Sequence, residues 1–427
     1  MTPFFRSDAK RSDRSRTRRS GLLLAALLLL PPVHAQQAQE PVPGADVASI
    51  RSWLLTHNPE LRAQQAEVEA ARARVLPAGS LPNPTAAVSL QGLGASGPRL
   101  TSFQLRQPLP LWGKRPLARA IAEQQAQAQD ASRDATALDL LAQAESAYVR
   151  YWHAAQARQL LDGQIALLEN VEEIAGVRYA LGMAPQQDAI RAQVARSDAL
   201  GRRIALEQAG EEAAVLLNLT MGRSPLASLQ SPQGPPQLPV ASVTLAAATQ
   251  RLDRGQHPAL RAAQAQLAAA QDTLRLRQRE YWPDVSLGIG AMQRGHRFDG
   301  IELMLEVELP LQRRALAARE REAQALEDAQ QARVEAQQTR LAAQLGLAWS
   351  QWRSDQRQRE LLESTRIPQA EANFHSALAS YQVGEVDFNA LLDALSQWQE
   401  AKLARLDAQR DELLAATAVR AIEGEAP

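Results

Sequence analysis

The sequence predicts a mainly α-helical protein with a small β part, in which one structural plan occurs twice along the chain. Three observations predict this. Alanine, glutamine, leucine, arginine and glutamate dominate the 427 residues while aromatic residues make up only 4%, and these side chains lose little freedom in a helix. Proline, glycine and aromatic landmarks recur in one order at a spacing near 200 residues, which is the mark of an internal duplication. Between those landmarks lie two stretches too long for the helices of an ordinary globule, and two short segments whose apolar residues alternate.

In chain order, residues 1–35 read as a secretory signal. Seven basic residues against Asp8 and Asp13 fill the first twenty positions. An apolar run from Gly21 to Leu30 follows, then Pro31-Pro32, then Val33-His34-Ala35 with small residues at the positions a signal peptidase reads. Thr17-Arg18-Arg19 also resembles a twin-arginine signal, although a plain basic leader accounts for it. After Ala35 no run of eighteen apolar residues occurs, so entry into a membrane would have to be as a β-barrel.

The first repeat spans 36–219 and the second 246–427, joined by a Pro-, Ser- and Gly-rich segment at 220–245. Pro59 matches Pro258 and Pro84 matches Pro283, both at an offset of 199; Pro110-Leu111 matches Pro310-Leu311 at 200, and Tyr179-x-x-Gly182 matches Tyr381-x-x-Gly384 at 202. Each repeat is predicted to open with a helix of about 20 residues (58–76 and 257–280), as a capping residue followed by proline suggests. A hairpin follows at 84–109 and 284–309. A very long helix comes next; in the first copy the only proline between Arg115 and Ala184 is Pro116, at its start. The second long helix runs from Gln312 to Val383 with a kink expected at Pro368. Glycine ends both long helices, and returning helices are expected at 187–219 and 386–420.

The strands carry the sharpest pattern. From 301 to 309, Ile, Leu, Leu, Val and Leu fall on one face and Glu302, Met304, Glu306 and Glu308 on the other. Val285, Leu287 and Ile289 alternate with Ser286, Gly288 and Gly290, and Phe103 and Leu105 with Ser102, Gln104 and Arg106. Two structures suit such strands: a small sheet packed on the helices with its polar face in water, or strands with the apolar face in lipid and Arg106, Glu302, Glu306 and Glu308 lining a wet lumen. Four strands cannot close a barrel, which needs about eight. The second arrangement therefore requires several chains.

Much chemistry is absent. There is no cysteine, which excludes disulfides, thiolate metal sites, cysteine nucleophiles and a lipidated N-terminal cysteine. The formal net charge is zero, so nothing points to nucleic acid. The six histidines form no H-x-x-x-H pair, and no nucleophile elbow, phosphate loop or dinucleotide fingerprint occurs. No catalytic, cofactor or metal site is expected.

Taken in order, the landmarks resemble those of the TolC family of outer-membrane efflux proteins. They are Asn58-Pro59-x-Leu61 and His257-Pro258-x-Leu260, Leu81-Pro82-Asn83-Pro84, Gln107 through Arg115 (Gln-Pro-Leu-Pro-Leu-Trp-Gly-Lys-Arg), and the two Tyr-x-x-Gly turns. The Pro-Leu-Pro-Leu-Trp-Gly-Lys-Arg segment is most similar to the CzcC- and CusC-like branch that serves heavy-metal pumps. The resemblance implies a homotrimer in which three chains of four strands form a twelve-stranded outer-membrane barrel above an α-helical periplasmic tunnel. It implies a passive duct for cargo delivered by a proton-driven inner-membrane pump through a periplasmic adaptor, the cargo being heavy-metal cations (cobalt, zinc, cadmium, copper or silver). A duct for drugs or other organic compounds is the alternative; from a different class, so is a soluble periplasmic coiled-coil scaffold. The resemblance also places the Tyr-x-x-Gly turns at the periplasmic tip. Tyr179, Gly182, Met183, Tyr381, Gly384 and Glu385 are then expected at the adaptor contact, and Asp393 at a pore constriction, with Asp387 as a nearer substitute because Ala390 occupies the family's other acidic position.

Overall fold

Helix α1, Val47–His57, opens the fold of this computed structural model, which describes residues 42–92, 99–237, 244–295 and 297–424. The expected signal segment 1–35 lies outside them, as do parts of the 92–97 loop and of the 220–245 segment. Asp46 caps α1 by accepting a hydrogen bond from the Ser49 N–H at 2.8 Å. Asn58 ends α1 and starts α2, Pro59–Gly79: its side-chain oxygen accepts from the Glu60 and Leu61 amides, and Pro59 takes the first helical position, where its missing N–H costs nothing. The first hairpin is β1, Thr85–Gln91, and β2, Leu100–Leu109. Helix α3, Lys114–Ala180, then runs for 67 residues, about 100 Å at ~1.5 Å per residue, and α4, Gln186–Thr220, returns along it.

The same order follows a second time. Helix α5, Leu245–Asp253, precedes α6, Pro258–Arg279, and His257 caps α6 as Asn58 caps α2, its ring Nδ1 accepting from the Ala259 N–H at 3.2 Å. Strands β3, Asp284–Arg294, and β4, Arg297–Glu308, form the second hairpin. Helix α7, Arg313–Leu361, passes through a π-helical turn at Leu362–Arg366 into α8, Ile367–Val383, and α9, Phe388–Glu423, returns. Pro368 lies in the first turn of α8. The wide turn just ahead of it removes the need for the hydrogen bond that proline cannot donate. Helices α1 and α5 are additions to the elements expected from the sequence.

The helices pack side by side, with α3 in contact with α2, α4, α6 and α9, and α7 with α6 and α9. Their cores are a series of clusters strung along the bundle. One, near the far turns, joins Leu168, Val171, Phe374, Tyr381, Phe388 and Leu391. Another joins Ile50, Leu54, Tyr148 and Leu217, and a third Leu260, Leu341, Leu345 and Val419. Many buried positions of α3 are alanine, among them Ala122, Ala126, Ala144 and Ala157, so helix axes approach closely with little side chain between them. Where α3 crosses α9, Arg420 and Glu145 form an ion pair that is buried on both sides. Losing either partner would strand a charge in the interior.

The four strands form one antiparallel sheet in the order β1-β2-β3-β4, so the two hairpins meet along β2 and β3. All four strands connect to helices at the same end of the sheet. Strands β1 and β4 pair on one side only, leaving both edges open among the described residues. Among the described residues, no helix packs extensively on either face of the sheet.

Candidate functional site

The sheet leaves its apolar face exposed. Cross-strand register puts Ala86, Leu105, Ile289 and Leu303 in one row and Val88, Phe103, Ala291 and Ile301 in the next. Leu287 and Leu305, then Val285 and Val307, continue that face toward the helices. The face is open: Leu303 is 80% exposed, whereas Ser102 on the opposite face is 6% exposed. A contiguous uncovered apolar surface of this kind marks contact with a partner or a membrane. Left open by the described residues, it does not fit a small sheet packed on its own helices.

The polar face carries Arg106, Glu302, Glu306 and Glu308 together, as the alternation predicts. The structure adds how they are linked. The Arg106 guanidinium donates to Glu306 Oε2 at 2.7 Å, and the Gln104 amide donates to Glu302 Oε2 at 3.2 Å. Each contact reaches from β2 to β4 across the intervening β3, where Gly288 and Gly290 stand in register with Arg106 and Gln104; the Arg106–Glu306 contact runs diagonally, since Glu306 pairs with Ser286. A Cβ at 290 would stand 3.1 Å from Gln104 Cγ and 3.2 Å from the Phe103 carbonyl oxygen; one at 288 would stand 2.9 Å from Met304 Cε. Glycine in β3 thus leaves a furrow that the polar side chains bridge. Glu308 lies opposite Asp284, a like-charged pair relieved by Lys114, whose ammonium is 2.8 Å from Asp284 Oδ2.

At the sheet's helical end the chain turns sharply into α3. Trp112 adopts a left-handed backbone, φ 60°, and Gly113 follows at φ 77°. Such a conformation is costly for a bulky residue and persists only where surroundings enforce it. Here the Trp112 indole N–H donates to the Pro283 carbonyl at 2.7 Å, and its ring lies 5.0 Å from that of Trp282.

At the opposite end of the molecule, both long helices stop in the same way. Gly182 and Gly384 take positive φ, and the next amides, Met183 and Glu385, each donate back to Arg178 and Ser380 carbonyls at 2.8 Å. This is the Schellman closure that a glycine after the helix permits. Tyr179, Gly182, Met183, Gly384 and Glu385 are exposed around the two turns. Tyr381 departs from the expected surface contact: it is 2% exposed. Its hydroxyl donates to Asp188 Oδ2 at 3.2 Å, the Arg178 guanidinium sits 4.5 Å over its ring, and Phe388 meets its edge. Burial, reinforced by the neighbouring Asp188 carboxylate, pushes its phenol up to about 12. Asp188 and Arg178 belong to the first repeat, so the second tyrosine clamps the two turns together. Arg178 also donates to the Tyr381 carbonyl, and Arg191 to the Asn389 side chain across the same seam. No single-sequence signal separates this tyrosine from its exposed twin.

The two acidic candidates differ in setting. Asp387 caps α9, its carboxylate accepting from the Ala390 N–H at 2.9 Å. Asp393 lies on the exposed side of α9, opposite buried Leu391, Ala394 and Leu395, and makes no ion pair or hydrogen bond among the described residues. Among those residues no group of three His, Asp or Glu side chains is placed to hold a metal ion. No described helix is long and apolar enough to cross a membrane.

Comparison with known proteins agrees with this geometry. The profile of the outer membrane efflux protein family matches the chain twice, over residues 50–223 and 250–425. No curated protein is a significant match by sequence alone. Among solved structures, the outer membrane protein VceC of Vibrio cholerae superposes with a TM-score of 0.76 at 18% identity, covering 88% of this chain and 96% of that one. CusC gives a TM-score of 0.76 at 18% identity over 90% and 93% of the two chains. The outer-membrane channel OprN gives 0.75 at 20% identity over 88% and 89%.

Proposed function

The chain belongs to the outer membrane efflux protein family, and from that premise we propose that three copies close a twelve-stranded barrel and an α-helical tunnel that together form the exit duct of a tripartite pump. The observation that carries this reading is the uncovered apolar face of a sheet with two open edges. Lipid on one side and a neighbouring copy at each edge satisfy what a single chain leaves unsatisfied. From Ile301 to Leu309 the apolar face runs nine residues, about 30 Å along the strand at ~3.3 Å per residue. Tilted at about 40°, it would span close to the ~25 Å apolar band of outer-membrane barrels. The polar face, with Arg106, Glu302, Glu306 and Glu308, then lines the lumen.

In this reading the helical bundle extends into the periplasm after export by a cleaved signal. The exposed Tyr179, Gly182, Met183, Gly384 and Glu385 meet a periplasmic adaptor, and a proton-driven inner-membrane pump supplies cargo. The duct transfers no group and needs no cofactor. Its cargo is heavy-metal cations, which the Pro108–Arg115 segment supports through its resemblance to the metal-efflux branch. Transit is transient, in keeping with the absence of a fixed ligand set among the described residues.

Two measurements test this. Purified full-length protein should require detergent and migrate as a trimer; a stable, detergent-free monomer would instead support the periplasmic scaffold. A strain lacking the chain should lose tolerance to cobalt, zinc, cadmium, copper or silver. Retained metal tolerance with lost tolerance to dyes or antibiotics would replace metal ions by organic compounds as cargo.

A further inference from the structure

At the end of the sheet away from the helices, two arginines face each other. Arg294 closes β3, Arg297 opens β4, and they are direct cross-strand partners. Like charges placed opposite each other destabilise a sheet. Among the described residues only one carboxylate is bonded to the pair: Asp299 Oδ2 accepts from Arg294 Nε at 3.2 Å and from its Nη2 at 3.0 Å. Arg297 is exposed and has no such partner among those residues. The pairing is built by the register shift at Met292/Gln293, where Asp299 is the extra residue. Had the register of Met292 and Gly300 run on unshifted, Phe298 would stand opposite Arg294 on the polar face and Arg297 would turn to the apolar one. The shift instead sends Phe298 to the apolar face, beside Val88, Phe103 and Ile301. It sets Arg297 across from Arg294 on the face of Glu302 and Glu306. Five residues separate Arg297 from Glu302, roughly 15 Å along the strand. That exceeds the screening length of ~10 Å at about 0.1 M salt, so the carboxylates further down the face do not neutralise the pair.

We propose that Arg294 and Arg297 form an anion site at the outer mouth of the barrel that takes a soluble anion carrying phosphoryl groups. The site rests on the reading of the polar face as the lumen, with three copies around one axis. A guanidinium binds oxyanions through two parallel N–H donors. A phosphoryl group, with three acceptor oxygens and a charge of roughly −2, can engage both arginines at once, whereas the Asp299 carboxylate engages only Arg294. Three such pairs around the mouth favour an anion with several phosphoryl groups over a single phosphate ion. The ligand comes from the external medium and not from lipid headgroups, because the pair lies on the face opposite Phe298 and Ile301. Bound there, it narrows the duct from outside.

The test uses the full-length protein in detergent, with inositol hexaphosphate and inorganic phosphate as probes and calorimetry at low salt as the readout. Inositol hexaphosphate should bind more tightly than inorganic phosphate, and Arg294→Gln or Arg297→Gln alone should weaken it about tenfold. Arg294→Gln/Arg297→Gln should abolish binding. Arg313→Gln/Arg314→Gln, at exposed arginines beyond the other end of β4, should leave it unchanged; equal losses in the two double variants would mean general charge attraction and overturn the site. Because the pair is a cost to the sheet, Arg297→Gln should be at least as heat-resistant as the wild type. A loss of heat resistance would make the arginine structural and overturn the site. Competition by lipid A micelles would place the pair against headgroups and overturn it too. In planar bilayers the polar helical bundle stays on the side of addition, so the hexaphosphate should lower conductance from the opposite side; block from the helical side alone would count against the site. A Leu303→Trp reporter in vesicles of phosphatidylcholine brominated near the methyl end of its chains separates the two readings. If the bromines quench its added emission and the hexaphosphate does not bind, only the anion site fails; if they do not quench it, the lipid-facing sheet itself fails.

Discussion

His257 occupies the place that Asn58 holds in the first repeat, capping a helix whose first residue is proline. An imidazole can accept the Ala259 N–H only while Nδ1 is unprotonated. Burial pushes its pKa below the usual histidine value, outweighing the nearby Ala421 carbonyl and Asp139 carboxylate. The unfolded chain binds that proton more readily than the folded one, so folding is favoured less as pH falls. The stabilisation is complete above the unfolded value of about 6.5 and is lost as pH falls through the lower folded value. His257→Asn should keep the cap and flatten the dependence of the melting temperature between neutral and mildly acidic pH. A variant whose melting temperature falls with acid as steeply as the wild type would show that another group carries the effect. Tyr381 gives a second prediction. Tyr381→Phe strands the buried Asp188 carboxylate, at a cost of roughly 1–3 kcal/mol. Hydrogen exchange should quicken around 178–191 and 381–391, while Tyr179→Phe, at an exposed site, should leave it unchanged. The Tyr-x-x-Gly motif itself is plain in the sequence. Which tyrosine turns inward is not, because the choice is made by Asp188 and Arg178, some 200 residues away.

At the scale of elements, the strands show where sequence patterning is strong and where it stops. Alternation identifies both faces of β2, β3 and β4, because the side-chain period in a strand is two; β1, with alanine at 86 and 87, carries the pattern only weakly. It cannot say that Arg106 reaches over Gly288 to Glu306, since this depends on the alignment of three strands and on a register shift at Met292/Gln293. Helices α2 and α6 announce themselves through cap and proline. Helices α1 and α5, with 11 and 9 residues, are too short for periodicity to separate from the loops beside them. Between α7 and α8, Pro368 marks the interruption, but the form it takes, a five-residue π-turn ending at Arg366 just ahead of it, reflects local hydrogen bonding that pattern does not carry. The faces of β4 can be tested by a pair of neighbouring substitutions. Leu303→Lys should cost about 2–4 kcal/mol per copy at the middle of the lipid-facing band. Met304→Lys, one residue on and facing the polar side, should cost much less. Heat resistance of the assembled protein in detergent gels measures both, and equal losses would mean that the two faces see the same solvent.

For the whole molecule, the two repeats contribute alike to the sheet and unlike to the far turns. Asp393 on α9 corresponds to Arg191 on α4, at the spacing of the duplication. Arg191 is used in the seam between the turns, where it binds Asn389, while Asp393 is exposed and has no partner among the described residues. Three such carboxylates around one axis would narrow the tunnel with negative charge and hold divalent cations. Asp393→Ala should then raise single-channel conductance in planar bilayers and relieve block by divalent cations. Unchanged conductance and block would place Asp393 on a merely solvated face. Asp387 should behave differently: Asp387→Ala removes a helix cap, with a loss of about 1 kcal/mol and little change in conductance.

The open edges of the sheet have one more consequence, for the life history of the protein. A single copy offers bare peptide groups along β1 and β4 and a greasy face between them, so it has no comfortable resting state in water. If three copies close the barrel as proposed, stability belongs to the assembly and rises with the concentration of its fellows. In that reading, copies fresh from export would need shielding until they meet, and the interval before closure would be when the chain is most exposed to aggregation and proteolysis.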